Sequence, residues 1–527
     1  MPMRRFVYFL WLAVALAVCP LGRADDDASA RAILLAAVDA LGGAEDLAKL
    51  DQWFVEGKGR ENLTGELQGL SPGAPTWRAH EERIAVSRAT GSVAWDRRSP
   101  RNDFSLRWRR FIYKPDAFGV VDWTSGEGGF RSRAIPENER LALMHRIPHL
   151  LLLDAATHAK QLRLLGERRR NGVAYDAMEV VMADDARLTL FFARKPVVLA
   201  RVEYSLYLPG RGDTLIGWQW HGWKRNQSLG FAPSGHAIDV GGTPFQEVEY
   251  SRYGAGDPDA ALLLSIPADL GPASRAHQEP PPPPAGPASG EIAPGVHVAA
   301  IRGFQVMFIE FKDFVVAFDA PAVAPGLEAI PAADQDANDS VSKDLAALIA
   351  RTCPSKPIRY IVISHHHSDH LGGLHALASD NVTIYAAPSH VAAVQRSLGS
   401  PNAAASRAEK KEPHAIKAKV AAVPERKTIT DGMRTLEIIN VGANPHTSAN
   451  LFLWLPKEKL VLQGDLFYYR EGDRFPPPGR ETMNRFFSKW LADHQMEPKA
   501  VYGVHGAGAA GTEALARAVR MTAPPKS

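Results

Sequence analysis

Cysteine is nearly absent from this chain, with Cys19 and Cys353 its only two thiols. Arg4 and Arg5 precede an apolar run from Phe6 to Val18, and Gly22-Arg23-Ala24 puts small residues at the first and third places. That pattern predicts a secretory leader over residues 1–24, removed after Ala24. Cys353 is then the one thiol of the mature chain, which excludes an intramolecular disulfide. It falls between an expected helix, Val341 to Arg351, and Pro354, and reads as a packed, inert thiol. A membrane span is lacking too. The leader's apolar run is too short for one, and no other stretch approaches the necessary length. Charge of one sign is also missing. A net +3 over 527 residues gives no argument for nucleic acid, which asks for a clustered basic face. Abundant alanine, arginine and proline suggest a bacterial source, and with the leader they place the protein in the periplasm or outside the cell.

What is present exceeds one core. A hydrophobic share of 45% and a charged share of 23% are those of a globular protein, and 527 residues predict two domains. Ala30 to Leu41 repeats apolar residues at helical spacing, with Ser29 as the expected N-cap. Short alternating runs follow: Arg83–Val86, Phe104–Phe111, Met178–Val181, Leu188–Phe192, Val197–Tyr207 and Ile216–Trp223. They predict a β-rich domain over 25–271, an antiparallel sheet or half-barrel. A helix from Glu137 to Arg146 interrupts it, with Pro148 as its stop and Leu150–Leu153 as a further buried run. Trp108, Trp218, Trp220 and Trp223 read as cross-strand packing, with an apolar-ligand groove as the competing reading. Residues 272–290, which include Pro280 to Pro284, form a semi-rigid linker. From Glu291 to the C-terminus, strands alternate with helices, which predicts an α/β sandwich. Lys410 to Lys419 reads as a flap.

One stretch of that second domain carries chemistry. The buried strand Ile358 to Ile363 runs into Ser364-His365-His366-His367-Ser368-Asp369-His370, and Leu371-Gly372-Gly373 follows. Period-2 alternation points His365 and His367 the same way and His366 away from them. Asp369 and His370 fall where the chain turns and can face the same pocket. Nitrogen and oxygen ligands in this arrangement suit a borderline metal such as zinc. His446, Asp465 and His505 each follow an expected strand beside glycine, the same placement as the first cluster.

These residues resemble the metallo-β-lactamase superfamily. Its His-x-His-x-Asp-His motif stands here as His365, His367, Asp369 and His370, and its later ligands match His446, Asp465 and His505. Asp319, ending an early strand, matches its supporting aspartate. The resemblance covers about Glu291 to Gly508. It implies an αβ/βα sandwich with two divalent ions, zinc first and iron or manganese as alternatives. His365, His367 and His446 would hold one ion, Asp369, His370 and His505 the other, and Asp465 would bridge them. The chemistry implied is attack by a metal-bridging hydroxide on a small-molecule ester, thioester, lactone or amide. Asp369 would orient the nucleophile and Asp319 would fix a ligand tautomer. Tyr468 is a candidate donor to a developing oxyanion. The β-lactamases with this ligand set lack a bridging aspartate where Asp465 stands, which favours the thioesterase, lactonase and phosphodiesterase branches over them. A phosphodiesterase or nuclease with the same ions, a β-lactamase, and a periplasmic protein that binds lipid or another apolar ligand and carries an accessory metal site are the alternatives.

Overall fold

The computed structural model describes residues 21–62, 77–100, 106–123, 127–132, 137–267, 290–323, 330, 339–400, 416–471, 475 and 480–520. Residues 1–20 of the expected leader and 272–289 of the expected linker lie outside these, as do most of the Lys410–Lys419 flap and parts of the loop after Phe467.

The N-terminal part is built on a 13-stranded antiparallel sheet. Its edges are Glu127–Ser132 and Gln161–Arg170, and its first long strand, Gln52–Asn62, pairs with the last, Thr243–Ala255. One face buries Trp53, Val86, Trp95, Leu190, Val202, Trp218 and Trp220 against the helices Leu21–Ala40 and Pro148–His158. The opposite face is partly covered by Pro258–Leu264, whose Leu263 and Leu264 pack on Phe54, Ala85 and Ile112.

Two local expectations are corrected. Pro148 does not stop a helix but starts one, because at N1 its missing N–H is an orphan in any helix. Leu150–Leu153 therefore lies on that helix, and the preceding one ends at Met144. Ser29 is no N-cap, since the helix Leu21–Ala40 runs through it.

His149 on this second helix is fully buried between Trp53, Trp223 and Tyr253, whose hydroxyl lies 2.7 Å from its Nδ1. Burial lowers its pKa from 6.5 to about 4. A depressed folded-state value means the stabilisation is complete above 6.5 and is lost as pH falls from there through about 4. The gap corresponds to about 3 kcal/mol. Urea unfolding should show wild type losing more stability than His149→Phe over that window, and equal slopes would refute the assignment.

The C-terminal part is a four-layer sandwich. A seven-stranded sheet begins at Gly290–Ala293 and ends at Lys419–Ala422, and a six-stranded sheet runs from Arg426–Thr430 to Ala510–Gly511. Their facing sides share a core that includes Phe318, Val362, Leu451 and Leu462. The helix Ser340–Thr352 covers the first sheet outside, through Leu345, Leu348 and Ile349. Glu481–Asp493 and Thr512–Val519 cover the second. Val315–Phe318 and Ile358–Val362 run parallel, as do Leu460–Gln463 and Ala500–Gly503. Parallel neighbours bring their carboxyl ends to one edge, and the loops that leave those ends carry the candidate ligands.

The two parts touch beside that edge. The turn Pro209-Gly210-Arg211 meets the helix Val391–Gly399: Gly210 N donates to Ser397 Oγ at 2.7 Å, and Arg396 Nε donates to Gly210 O at 3.0 Å. A Cβ on Gly372 would stand 2.8 Å from Ala322 Cβ and 3.0 Å from Pro209, so only glycine fits there. Ile330 is buried in the N-terminal core and its N–H donates to Ala142 O at 3.1 Å.

Candidate metal centre

The strand Ile358–Val362 delivers His365 and His367 to the edge, and the single helical turn Ser368–Leu371 then presents Asp369 and His370. His446 arrives from the loop after Thr435–Asn440, fixed by Asn444, whose Oδ1 accepts from the backbone N–H of His446 and Thr447. Asp465 and His505 follow the parallel strands Leu460–Gln463 and Ala500–Gly503. Close approach of the two sheets decides one residue between them. A Cβ on Gly464 would meet Ser364 Oγ at 2.5 Å and Ser364 Cβ at 2.9 Å.

All seven expected ligands converge. His365, His367 and His446 offer ligand atoms within 4.8 Å of one another, as do His365, His370 and Asp465, and also Asp369, His370 and His505. His365 Nε2 lies 3.2 Å from His446 Nε2, and His370 Nε2 lies 3.2 Å from His505 Nε2. Asp465 sits between the two groups: Oδ2 is 3.2 Å from His446 Nε2, and Oδ1 is 3.1 Å from His370 Nε2 and 3.6 Å from His505 Nε2. His366 leaves the cluster, with Nδ1 3.1 Å from His390 Nε2.

Asp319 orders the site from behind. It is fully buried and accepts from Ser364 N at 2.6 Å, from Ser364 Oγ at 2.8 Å and from His370 Nδ1 at 2.7 Å. Its φ of 59° lies in the left-handed region, which an aspartate adopts at a cost that these three bonds offset. With Nδ1–H given to Asp319, the lone pair of His370 is on Nε2, facing Asp465 and His505. Ser364 Oγ is likewise 3.0 Å from His365 Nδ1, so the His365 lone pair also turns inward.

The electrostatics are those of a site short of positive charge in one half and rich in negative charge in the other. Burial, reinforced by neighbouring imidazoles, pushes His365 and His367 well below the usual histidine range. Burial also opposes charge on His370, but Asp465, Asp369 and Asp319 outweigh it and raise this group well above that range. Asp465 is driven well below the carboxylate range by His505 and His370, against the opposing effect of burial. Converging imidazole nitrogens around two carboxylates, with Asp465 Oδ1 lacking a hydrogen bond among the described residues, are a donor set that divalent cations fit.

Tyr468 is placed differently from its expected role. It is buried, and its hydroxyl donates to Asp465 Oδ2 at 2.6 Å. Committed to that carboxylate, the proton is not offered to a substrate oxyanion, and Tyr468 is a positioning residue for Asp465. Three residues that support it had not been singled out from the sequence. Asn484 brackets the Tyr468 backbone, donating to its O and accepting from its N–H, and the Arg480 guanidinium lies 3.9 Å from its ring centroid. Gln463 Oε1 accepts from Leu466 N and Phe467 N, shaping the turn that carries Asp465. A polar residue ending an otherwise apolar buried strand was the available signal for Gln463. Tyr468→Phe is expected to lower kcat by roughly 10-fold with little change in KM, the scale of losing an outer hydrogen bond to a ligand. Steady-state kinetics checks this, and a loss beyond roughly 10³-fold would restore the direct oxyanion role.

Of the known families, one matches the C-terminal part. A family model described as the metallo-beta-lactamase superfamily matches residues 331–505. No curated protein matches the chain. Among solved structures, the FIM-1 metallo-β-lactamase of Pseudomonas aeruginosa in a mono-zinc form is 18% identical, with 45% of this chain and 94% of that one covered and a TM-score of 0.29. A metallo-β-lactamase from Hirschia baltica is 18% identical over 44% of this chain and 96% of its own, at a TM-score of 0.30. The rubredoxin:oxygen oxidoreductase of Desulfovibrio gigas is 18% identical over 44% and 60%, also at 0.30.

Proposed function

The C-terminal domain belongs to the metallo-β-lactamase superfamily, and from that premise we propose that the protein is an exported, binuclear metal-dependent hydrolase of a small-molecule ester, thioester, lactone or amide. The superfamily consists mostly of metal-dependent hydrolases. The observation that carries the finer reading is Asp465, which reaches His446 with one oxygen and His370 and His505 with the other. A carboxylate so placed is suited to two cations at once.

His365, His367 and His446 would hold one ion, and Asp369, His370 and His505 the second, with Asp465 shared. The N/O donor set favours zinc and admits iron or manganese. When bound, two such ions supply Lewis acidity and lower the pKa of water towards neutrality. The chain's own residues do the rest. Asp369 Oδ2 is held by His505 at 2.9 Å, which leaves Oδ1 to accept the proton of an attacking water. As the new carbon–oxygen bond forms, that proton passes by way of Asp369 to the departing oxygen, sulfur or nitrogen. Asp319 keeps the His370 lone pair on Nε2 throughout, and Tyr468 holds Asp465 against rotation.

Export is supported by the leader pattern before Ala24. No helix among the described residues is long and apolar enough to cross a membrane. Screening the metal-loaded protein on ester, thioester, lactone, amide and phosphodiester panels tests the reading. Turnover of one of the first four, abolished by chelation and restored by zinc, is expected. Turnover confined to phosphodiesters, or unaffected by chelation, overturns it.

A further inference from the structure

The seven ligands are not the only metal-ligating side chains brought together. His297, Glu310 and Cys353 also present ligand atoms within 4.8 Å of one another, and share no residue with the first centre. They come from three elements. His297 and Glu310 lie on the antiparallel strands Val296–Ile301 and Phe304–Glu310, and Cys353 caps the helix Ser340–Thr352 that covers them. Glu310 pairs with Val315, the start of the strand whose far end leads to Asp319. The cluster therefore sits at the opposite edge of the sheet from the first centre.

We propose that His297, Glu310 and Cys353 form a second, separate site for a divalent transition-metal ion of the zinc class. His297 is the strongest pointer. It is only 5% exposed, stacked on Phe308 at 4.6 Å, and among the described residues neither of its ring nitrogens has a hydrogen-bond partner. A buried imidazole without a partner costs free energy unless something else meets it. Its Nε2 lies 3.7 Å from Glu310 Oε2, a separation suited to two ligands on one ion rather than to a direct hydrogen bond. The other oxygen, Oε1, accepts from Lys356 Nζ at 2.7 Å, and the same ammonium donates to Phe311 O at 2.9 Å. Lys356 thus fixes the carboxylate and turns Oε2 towards His297. Cys353 is the buried thiol on the third side.

Thiolate, imidazole and carboxylate together make a donor set of the zinc kind, with a fourth position left for water. Binding exchanges the thiol S–H bond for a sulfur–metal bond and releases one proton to solvent. A surface cavity of ≈ 620 Å³ reaches Glu310 and Lys356 from outside. The competing reading is a finished Lys356–Glu310 ion pair beside two core residues.

Cobalt distinguishes the two readings, because the first centre contains no sulfur. The full chain carrying Cys19→Ser, loaded with Co²⁺, is expected to show a near-ultraviolet thiolate-to-cobalt charge-transfer band. Cys353→Ser should bind one cobalt fewer per chain than wild type while keeping its hydrolytic activity. His297→Phe, which retains the stack on Phe308, should lose most of the band. No band in the Cys19→Ser chain at saturating cobalt overturns the proposal, and so does a band undiminished by His297→Phe.

Discussion

Asp465→Ala is expected to lower kcat/KM by roughly 10³-fold or more, because it removes the one carboxylate placed to serve both halves of the centre. Asp465 is buried and lies within 3.6 Å of three imidazole nitrogens. Without it His446 and His370 keep their lone pairs converging, but no negative charge remains between them. With Asp369 the only ligand carboxylate left, two cations held close together would repel each other with much less to offset it. The variant should therefore lose bound metal as well as rate, with elemental analysis falling in step with activity. Asp465→Asn separates charge from shape. If charge is what matters, asparagine should be nearly as damaging as alanine. Wild-type kinetics in Asp465→Ala would remove the shared-carboxylate role altogether.

The largest expected loss of stability lies in the N-terminal part of the chain. Arg146 Nη2 donates to Glu82 Oε2 at 2.5 Å, and both side chains are at most 2% exposed. Glu82 is also approached by Trp95 Nε1 at 3.2 Å and His80 Nε2 at 3.4 Å, while the guanidinium lies over the Trp95 and Trp218 rings. Burial works against charge on Glu82, yet Arg146 and then His80 hold it well below the carboxylate range. Arg146→Met leaves that carboxylate buried with only its weaker partners, at a cost of about 3–5 kcal/mol. Glu82→Leu added to Arg146→Met should recover much of it, since replacing a whole buried pair with apolar residues is often neutral. Urea unfolding measures both. A single variant within about 1 kcal/mol of wild type would show that the pair adds little.

The contrast between these two sites explains what the sequence made legible. Four of the seven candidate ligands fall within six residues of one loop, after a run of β-branched residues that announces a buried strand. The other three repeat the same context, a strand end beside glycine, and the resemblance drawn from them is borne out by the family match. Local pattern and site coincide there. The Glu82 cluster has no such signature. Glu61, His80, Glu82 and Arg97 lie on three neighbouring strands, where register places Arg97 opposite Glu82, and Arg146 reaches them from the turn between two helices. The helix at Pro148 was hidden for a different reason: proline ends a helix or begins one, and tertiary packing of Leu150, Leu151 and Leu152 decided between them. Tyr468 shows a third limit. Its distance from Asp465 along the chain was visible, but the turn that folds its hydroxyl back onto that carboxylate is set by Gln463 and Asn484, which act through hydrogen bonds that no periodicity encodes.

The most direct test of a two-ion centre is elemental analysis of the zinc-loaded, gel-filtered Cys353→Ser chain, which isolates the seven-residue site from any ion at the far edge of the sheet. Two zinc ions per chain, falling towards none in Asp465→Ala, are the predicted result. A single ion that survives loss of Asp465 would contradict the account.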